Sequence, residues 1–185
     1  MKQKKDLMLA LLLLLTGSAF SQGKFFTRAG QISFTSKGVL ETIKAQNKTV
    51  TCVLDAQSGQ LQFSVIMRGF EFKKALMQEH FNENYVESDK FPNADFKGQI
   101  SSTPMPDLTK DGQYPVKVKG KLTIHGISQD VTTDGTITVK QQAVQAESAF
   151  NILLSDYKIR IPSLVKNNLS NTVNIAVVCS LQPLQ

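Results

Sequence analysis

The sequence predicts an all-β domain: eight antiparallel strands closed into a barrel, or a closely related sandwich, with a short helix at one mouth. Three observations carry this expectation. Period-two alternation of apolar and polar residues is the dominant signal; eight stretches each show one apolar face; no internal repeat, low-complexity tract or linker divides them. The clearest stretch runs from Tyr114 to His125. Tyr114, Val116, Val118, Gly120, Leu122 and Ile124 share one face, and Lys117, Lys119, Lys121, Thr123 and His125 share the other. That is an antiparallel strand with one dry side and one wet side.

The start of the chain follows a different rule. Lys2, Lys4 and Lys5 precede an apolar run from Leu7 to Leu15 and then the small residues Thr16, Gly17, Ser18 and Ala19. This is the layout of a secretory signal peptide, with an apolar core too short to span a bilayer. Residues 1–21 are expected to be removed near Ser21 and Gln22, leaving 22–185 as one periplasmic or secreted domain. No cysteine near that junction offers a lipid attachment point, and no second apolar run is long enough for stable membrane insertion. The formal charge falls from +6 to +4 when three lysines and one aspartate leave with the leader.

The strands follow in order. Ile32 and Phe34 open the first, and Val50, Cys52 and Leu54 define the second. The turn "DAQSGQ" leads into the third, marked by Leu61, Phe63, Val65 and Met67. Phe96, Gly98 and Ile100 mark the fourth, the lysine-bearing stretch is the fifth, and Val131 to Lys140 is the sixth. Val144, Ala146, Ser148, Phe150, Ile152 and Leu154 mark the seventh, and Val173 to Leu181 the last. Between Met67 and Phe70 the apolar parity changes around Gly69, as a bulge would produce. Beyond it Phe72, Leu76, Met77, His80, Phe81 and Tyr85 recur at roughly helical spacing, which predicts a helix over Lys73 to Asn82 crossing one mouth. "IPSLVKNNLSN", near Pro162, is expected to form a long loop bordering an opening.

Few residues qualify for chemistry. The chain has two histidines, His80 and His125, and no Cys/His spacing that suggests a metal. His125 lacks a visible catalytic partner, so the expected role is structural: beside Gly126 its imidazole bonds a carboxylate or a backbone group. There is no Gly-x-Ser-x-Gly elbow and no convincing carboxylate pair, so no catalytic residue is assigned. An enzyme acting on a lipid headgroup through Asp156, Tyr157 and His125 is the weakest alternative. The row of lysines lacks the interleaved aromatics and basic groove that nucleic acid requires. Cys52 and Cys179 are expected to be separate buried thiols. If the last strand closes on the first and the first pairs with the second, two spacings of roughly 4.8 Å part them, beyond a disulfide's reach.

Small inward residues, Gly98, Gly120, Ala146 and Ser148, leave room that no Trp fills, although Phe63, Phe96 and Phe150 could interdigitate to fill it. An eight-stranded barrel is either filled by side chains or holds one small ligand.

Three motifs then stand in a recognisable order. "HFNENYVESDKFPNADFKG", "GKLTIHGISQDV" and "SDYKIRIP" resemble the signatures of the YceI-like family, exported lipocalin-like barrels associated with polyisoprenoid and other long apolar lipids. The resemblance spans nearly the whole mature chain and is most specific at Gly120, Leu122, Thr123, Ile124, His125 and Gly126. It departs at Lys158, where the family usually has glycine. It implies a long apolar cavity lined by Phe63, Phe72, Met77, Phe81, Tyr85, Phe96, Val118, Leu122, Phe150 and Tyr157, with Gly120, His125, Gly126 and Asp156 as structural positions. It implies no cofactor beyond a bound isoprenoid lipid or quinone. The alternative is an exported stress-protection or interaction module with a filled barrel.

Overall fold

The computed structural model describes residues 23–162 and 169–184. The expected leader lies outside the described residues, as do residues 163–168 of the expected long loop.

Eight long strands form the barrel: β1 (Lys24–Lys37), β2 (Thr42–Asp55), β3 (Gln60–Ile66), β5 (Asn93–Ile100), β6 (Gly112–Ile124), β7 (Ile127–Lys140), β8 (Ala143–Leu153) and β9 (Thr172–Pro183). A two-residue strand, β4 (Glu71–Phe72), pairs with β2. The sheet order is β1-β9-β8-β7-β6-β5-β3-β2, every pairing is antiparallel, and β1–β2 closes the ring. Closure removes the exposed edges that would otherwise invite pairing with another chain. The expected helix appears as α1 (Ala75–His80), extended by a wider turn over Phe81–Tyr85. No helix of the described residues is long and apolar enough to cross a membrane.

Turn chemistry sets the register. Asp55 accepts the N–H groups of Gln57 and Ser58 at 2.9 and 3.1 Å, and Gly59 takes a φ of 72° to enter β3. His125 and Gly126, with φ of 52° and 73°, form the two-residue β6–β7 hairpin. Positive φ at both central residues is the type I′ geometry that matches the strand twist. His125 is therefore a turn residue, not a member of the lysine face that its parity suggested. The parity change at Gly69 is likewise not a bulge. Met67–Gly69 is a single tight helical turn. Buried Asn47 holds it, donating to the Ile66 carbonyl at 2.8 Å. A Cβ on Gly69 would stand 2.7 Å from the Asn47 amide nitrogen, so only glycine fits there.

Two apolar clusters fill different parts of the barrel. One, around Leu54, Leu61, Ile100, Val116, Val139, Val144 and Leu181, forms a packed floor, with Met105 and Leu108 of the β5–β6 connection against it. The other surrounds Val65, Met67, Phe70, Val86, Ile124, Tyr157 and Ile159 near the helix.

The floor contains the two thiols. Cys52 and Cys179 are both free and 0% exposed, with β1 between their strands as expected. They are unlinked, as expected, yet close to one another. Gly30 of β1 lies between them without a side chain, and a Cβ there would stand 2.8 Å from Cys179 Sγ. The gap leaves the thiols as near neighbours, and Cys179, with burial, raises the Cys52 pKa above the ordinary thiol range.

β7 and β8 part company. Their ladder runs only from Gly135–Ser148 to Lys140–Ala143. Beyond the fork, Ile127–Asp134 pairs with β6 alone and Ala149–Leu153 with β9 alone. At the fork, Ser148 Oγ donates to the Asp134 carbonyl at 2.7 Å and lies 3.0 Å from Thr133 Oγ1. Near the mouth the seam is bridged again, where Gln129 Nε2 donates to the Asp156 carbonyl at 2.7 Å and His125 Nδ1 lies 3.2 Å from the Tyr157 carbonyl oxygen.

Candidate functional site

Between floor and helix the lumen is hollow, a cavity of about 470 Å³. That falls within the range of small-molecule sites, roughly 300–1,000 Å³. Its lining is almost wholly apolar. Period-two alternation places the wall residues: Phe63 of β3, Phe96 of β5, Val118 and Leu122 of β6, and Phe150 of β8 all face inward and border the cavity. The roof supplies Phe72 of β4, Met77 of α1, and Phe81 and Tyr85 of its continuation, all bordering the cavity too. Burial raises the Tyr85 phenol above its ordinary pKa.

The roof is an aromatic cluster. Phe81 has ring centroids 5.7 Å from Phe34, 5.6 Å from Phe70 and 5.1 Å from Phe72. Such offset and edge contacts fix the rings in place. Sequence reasoning had not assigned Phe34 and Phe70 to the site. The parity of Ile32 and Phe34 carried the first signal, and the break after Met67 the second. Glu41 and Lys74 were also missed, because a loop and a helix cap carry no periodic signal; Ile43 of β2 was missed too, and Leu76 was read as part of the helix without being placed at the cavity.

Tyr157 does not line the cavity, contrary to the expectation. The tight turn Leu154–Tyr157 ends in Lys158, held left-handed at φ 55° and ψ 23°. Lysine here takes the conformation for which glycine is the usual choice. The turn buries Tyr157 to 2% exposure, and loss of water raises its phenol to about 12.

Gly120 is a second correction, since it leaves no open space. It pairs with Gly98 across β5–β6, and the Phe96 ring lies over both glycines. A Cβ on Gly120 would stand 2.5 Å from the Gly98 Cα, 2.5 Å from the Lys97 carbonyl oxygen and 2.6 Å from Phe96 Cζ. The missing side chains are what allow Phe96 to lie flat against the wall.

His125 acts as a clasp. Its Nε2 lies 2.8 Å from Glu87 Oε2 and its Nδ1 lies 3.2 Å from the Tyr157 carbonyl oxygen, while its ring meets Phe91 edge-on at 4.6 Å. A Cβ on Gly126 would strike the same Phe91 ring. One side chain thereby joins the β6–β7 hairpin, the segment after the roof and the Leu154–Tyr157 turn. Both ring nitrogens are committed, which leaves neither for proton transfer to a ligand. Lys90, 2.5 Å from Glu87 Oε1, and His125 together hold the Glu87 carboxyl below its ordinary pKa. Among the described residues no group of three or more His, Cys, Asp or Glu is placed to hold a metal.

A closed antiparallel barrel with a solid floor, an apolar chamber and an aromatic roof defines an internal-cavity binding fold. The YceI-like domain model matches residues 21–181, and the chain belongs to that family. No curated protein sequence matches it. Among solved structures it is similar to a polyisoprenoid binding domain from Saccharophagus degradans implicated in plant cell wall breakdown. The identity there is 14%, the TM-score 0.76, and the match covers 88% of this chain and 99% of that one. It is also similar to BcnA of Burkholderia cenocepacia, at 17% identity and TM-score 0.68, over 83% of this chain and 96% of that one. A Campylobacter jejuni YCEI protein matches at 17% identity and TM-score 0.58, over 74% and 82%. At these identities the likeness is one of fold.

Proposed function

We propose that this domain binds one long apolar lipid, of polyisoprenoid or quinone type, inside the barrel and shields it from water without altering it. The observation that carries the reading is the hollow, apolar lumen of about 470 Å³ beneath an aromatic roof. Burial of apolar surface yields about 25 cal/mol per Å², so a long chain can offset its ordering cost with few polar contacts. The adaptable Met77 and the stacked rings suit a ligand recognised by shape rather than by hydrogen bonds. The polyisoprenoid-binding neighbour supports the same ligand class. A filled-barrel interaction module accounts less well for the chamber. The leader-like residues 1–21 support a periplasmic or secreted site of action. Organic extraction of freshly purified mature protein, followed by mass spectrometry, should recover an isoprenoid or quinone in near-stoichiometric amount. A protein that yields no lipid, and takes up neither a polyprenol nor a quinone when offered them, would refute the reading.

A further inference from the structure

The three most exposed large apolar side chains of the described residues gather at one rim. Val39 is 86% exposed, Leu40 74% and Leu76 60%. Val39 and Leu40 form the tip of the β1–β2 hairpin, and Leu76 stands in the first turn of α1. The Lys74–Glu41 ion pair, 2.8 Å long, ties the hairpin tip to the start of the helix. Glu41, Lys74 and Leu76 also border the cavity. Leu76 and the largely exposed Lys74 face lumen and solvent together, so the chamber opens beside these apolar tips. Single exposed apolar residues are ordinary, but a group of them around a cavity mouth marks a surface for a partner.

The charge around the tips specifies that partner. Residues 37–46 and 71–76 carry Lys37, Lys44, Lys73 and Lys74 against two carboxylates, Glu71 and Glu41, the latter paired with Lys74. Glu79 and Glu83 follow Leu76 on α1 and its continuation, so the basic balance belongs to the hairpin side of the rim, around Val39 and Leu40. Apolar tips surrounded by lysines match the boundary between headgroups and acyl chains in an anionic bilayer. We propose that the mouth docks on a bilayer bearing anionic lipids, with Val39, Leu40 and Leu76 inserted, so that a lipid passes between membrane and lumen without crossing water. This rests on the reading of the lumen as a lipid chamber and adds the surface through which the chamber is served.

Flotation of the mature protein with phosphatidylcholine vesicles, with and without phosphatidylglycerol, tests the proposal. Binding is expected to the mixed vesicles and to weaken with salt. Val39→Ser/Leu40→Ser should lower that binding at least about tenfold, since two apolar side chains no longer enter the bilayer. Val178→Ser, the same kind of change on the outer wall of β9, should leave it as it was. Lipid recovered by organic extraction should be equal in all three proteins, while transfer of a fluorescent isoprenoid from vesicles slows only in the double variant. Equal vesicle binding by wild type and the double variant, or none by either, overturns the docking surface and leaves the chamber reading standing. So does self-association that the double variant abolishes, which would make a second copy the occupant. Vesicle binding that needs Val39 and Leu40 in a protein holding no lipid upholds the docking surface and removes the chamber reading.

Discussion

Replacing Gly120 by alanine isolates how this barrel accommodates Phe96. The new methyl carbon would stand 2.5 Å from the Gly98 Cα, 2.5 Å from the Lys97 carbonyl oxygen and 2.6 Å from Phe96 Cζ. Carbon contacts are optimal at about 3.5–4.0 Å, so β5, β6 and the ring must separate by roughly 1 Å. Two of the three neighbours are backbone and cannot rotate away. Overpacking of this kind costs about 1–3 kcal/mol. Gly120 is not among the positive-φ glycines, so no backbone strain adds to the cost. A Gly→Ala change at a compatible backbone returns about 0.4–1 kcal/mol by restricting the unfolded chain. The net expectation is destabilisation of about 1–2 kcal/mol. In a domain of this length that lowers Tm by roughly 2–8 °C. Thermal and urea unfolding of the lipid-free protein, followed by circular dichroism, would measure it. Gly23→Ala is the control, because its methyl meets only the flexible Gln57 side chain, at 3.3 Å. A Gly120 variant as stable as the control would refute the close β5–β6 approach.

Ala146 borders the cavity without a side-chain hydrogen bond to lose, so Ala146→Leu should reduce lipid recovered on extraction while the Tm of the empty protein moves by only a few degrees; undiminished lipid would contradict its lumenal position. Cys52 and Cys179, wholly buried and with Cys52 held protonated, should resist alkylation in the folded protein and titrate as two free thiols after denaturation without reductant. A linked peptide pair on digestion would contradict this. Glu87 has a lowered pKa in the folded state, so its contribution to stability is complete above the ordinary value of 4.5 and lost as pH falls through the folded value. The stability gap between wild type and Glu87→Gln should therefore be widest near neutral pH and close in acid; a gap independent of pH would exclude the His125–Lys90 clasp as its source.

The parts of this molecule legible in the sequence are those governed by a repeating pattern. Strand alternation marked the eight walls and five of the lining residues, and helical spacing from Phe72 to Tyr85 marked four more in the roof. What escaped depends on contacts between distant residues. Parity alone put His125 among the lysines, because it cannot distinguish the end of a strand from a type I′ turn. Strand counting separated Cys52 from Cys179, because it cannot register that the residue between them is Gly30. Gly120 looked like vacant space until the fold of the Phe96 ring was known, and Tyr157 looked lumenal until Lys158 turned the chain left-handed. In each case a local residue type was correctly seen, and its neighbour across the fold decided the outcome.

The fork between β7 and β8 leaves the chamber wall with an unpaired seam. Where neighbouring strands are paired, widening a barrel means breaking ladder hydrogen bonds, each worth about 1 kcal/mol net. Before Gly135 in sequence there is no β7–β8 ladder to break, and the two edges are held by the Ser148 hydroxyl below and the Gln129–Asp156 and His125–Tyr157 contacts above. The barrel is stitched at both ends of this seam and unstitched between them, as a placket is on a sleeve. If the proposed cargo is thicker than the resting lumen, spreading this seam costs a few side-chain bonds rather than a row of backbone ones. Those amides of 127–134 and 149–153 that point into the seam, rather than to β6 or β9, are then expected to exchange most quickly, and their protection against solvent deuterium gauges how full the chamber is.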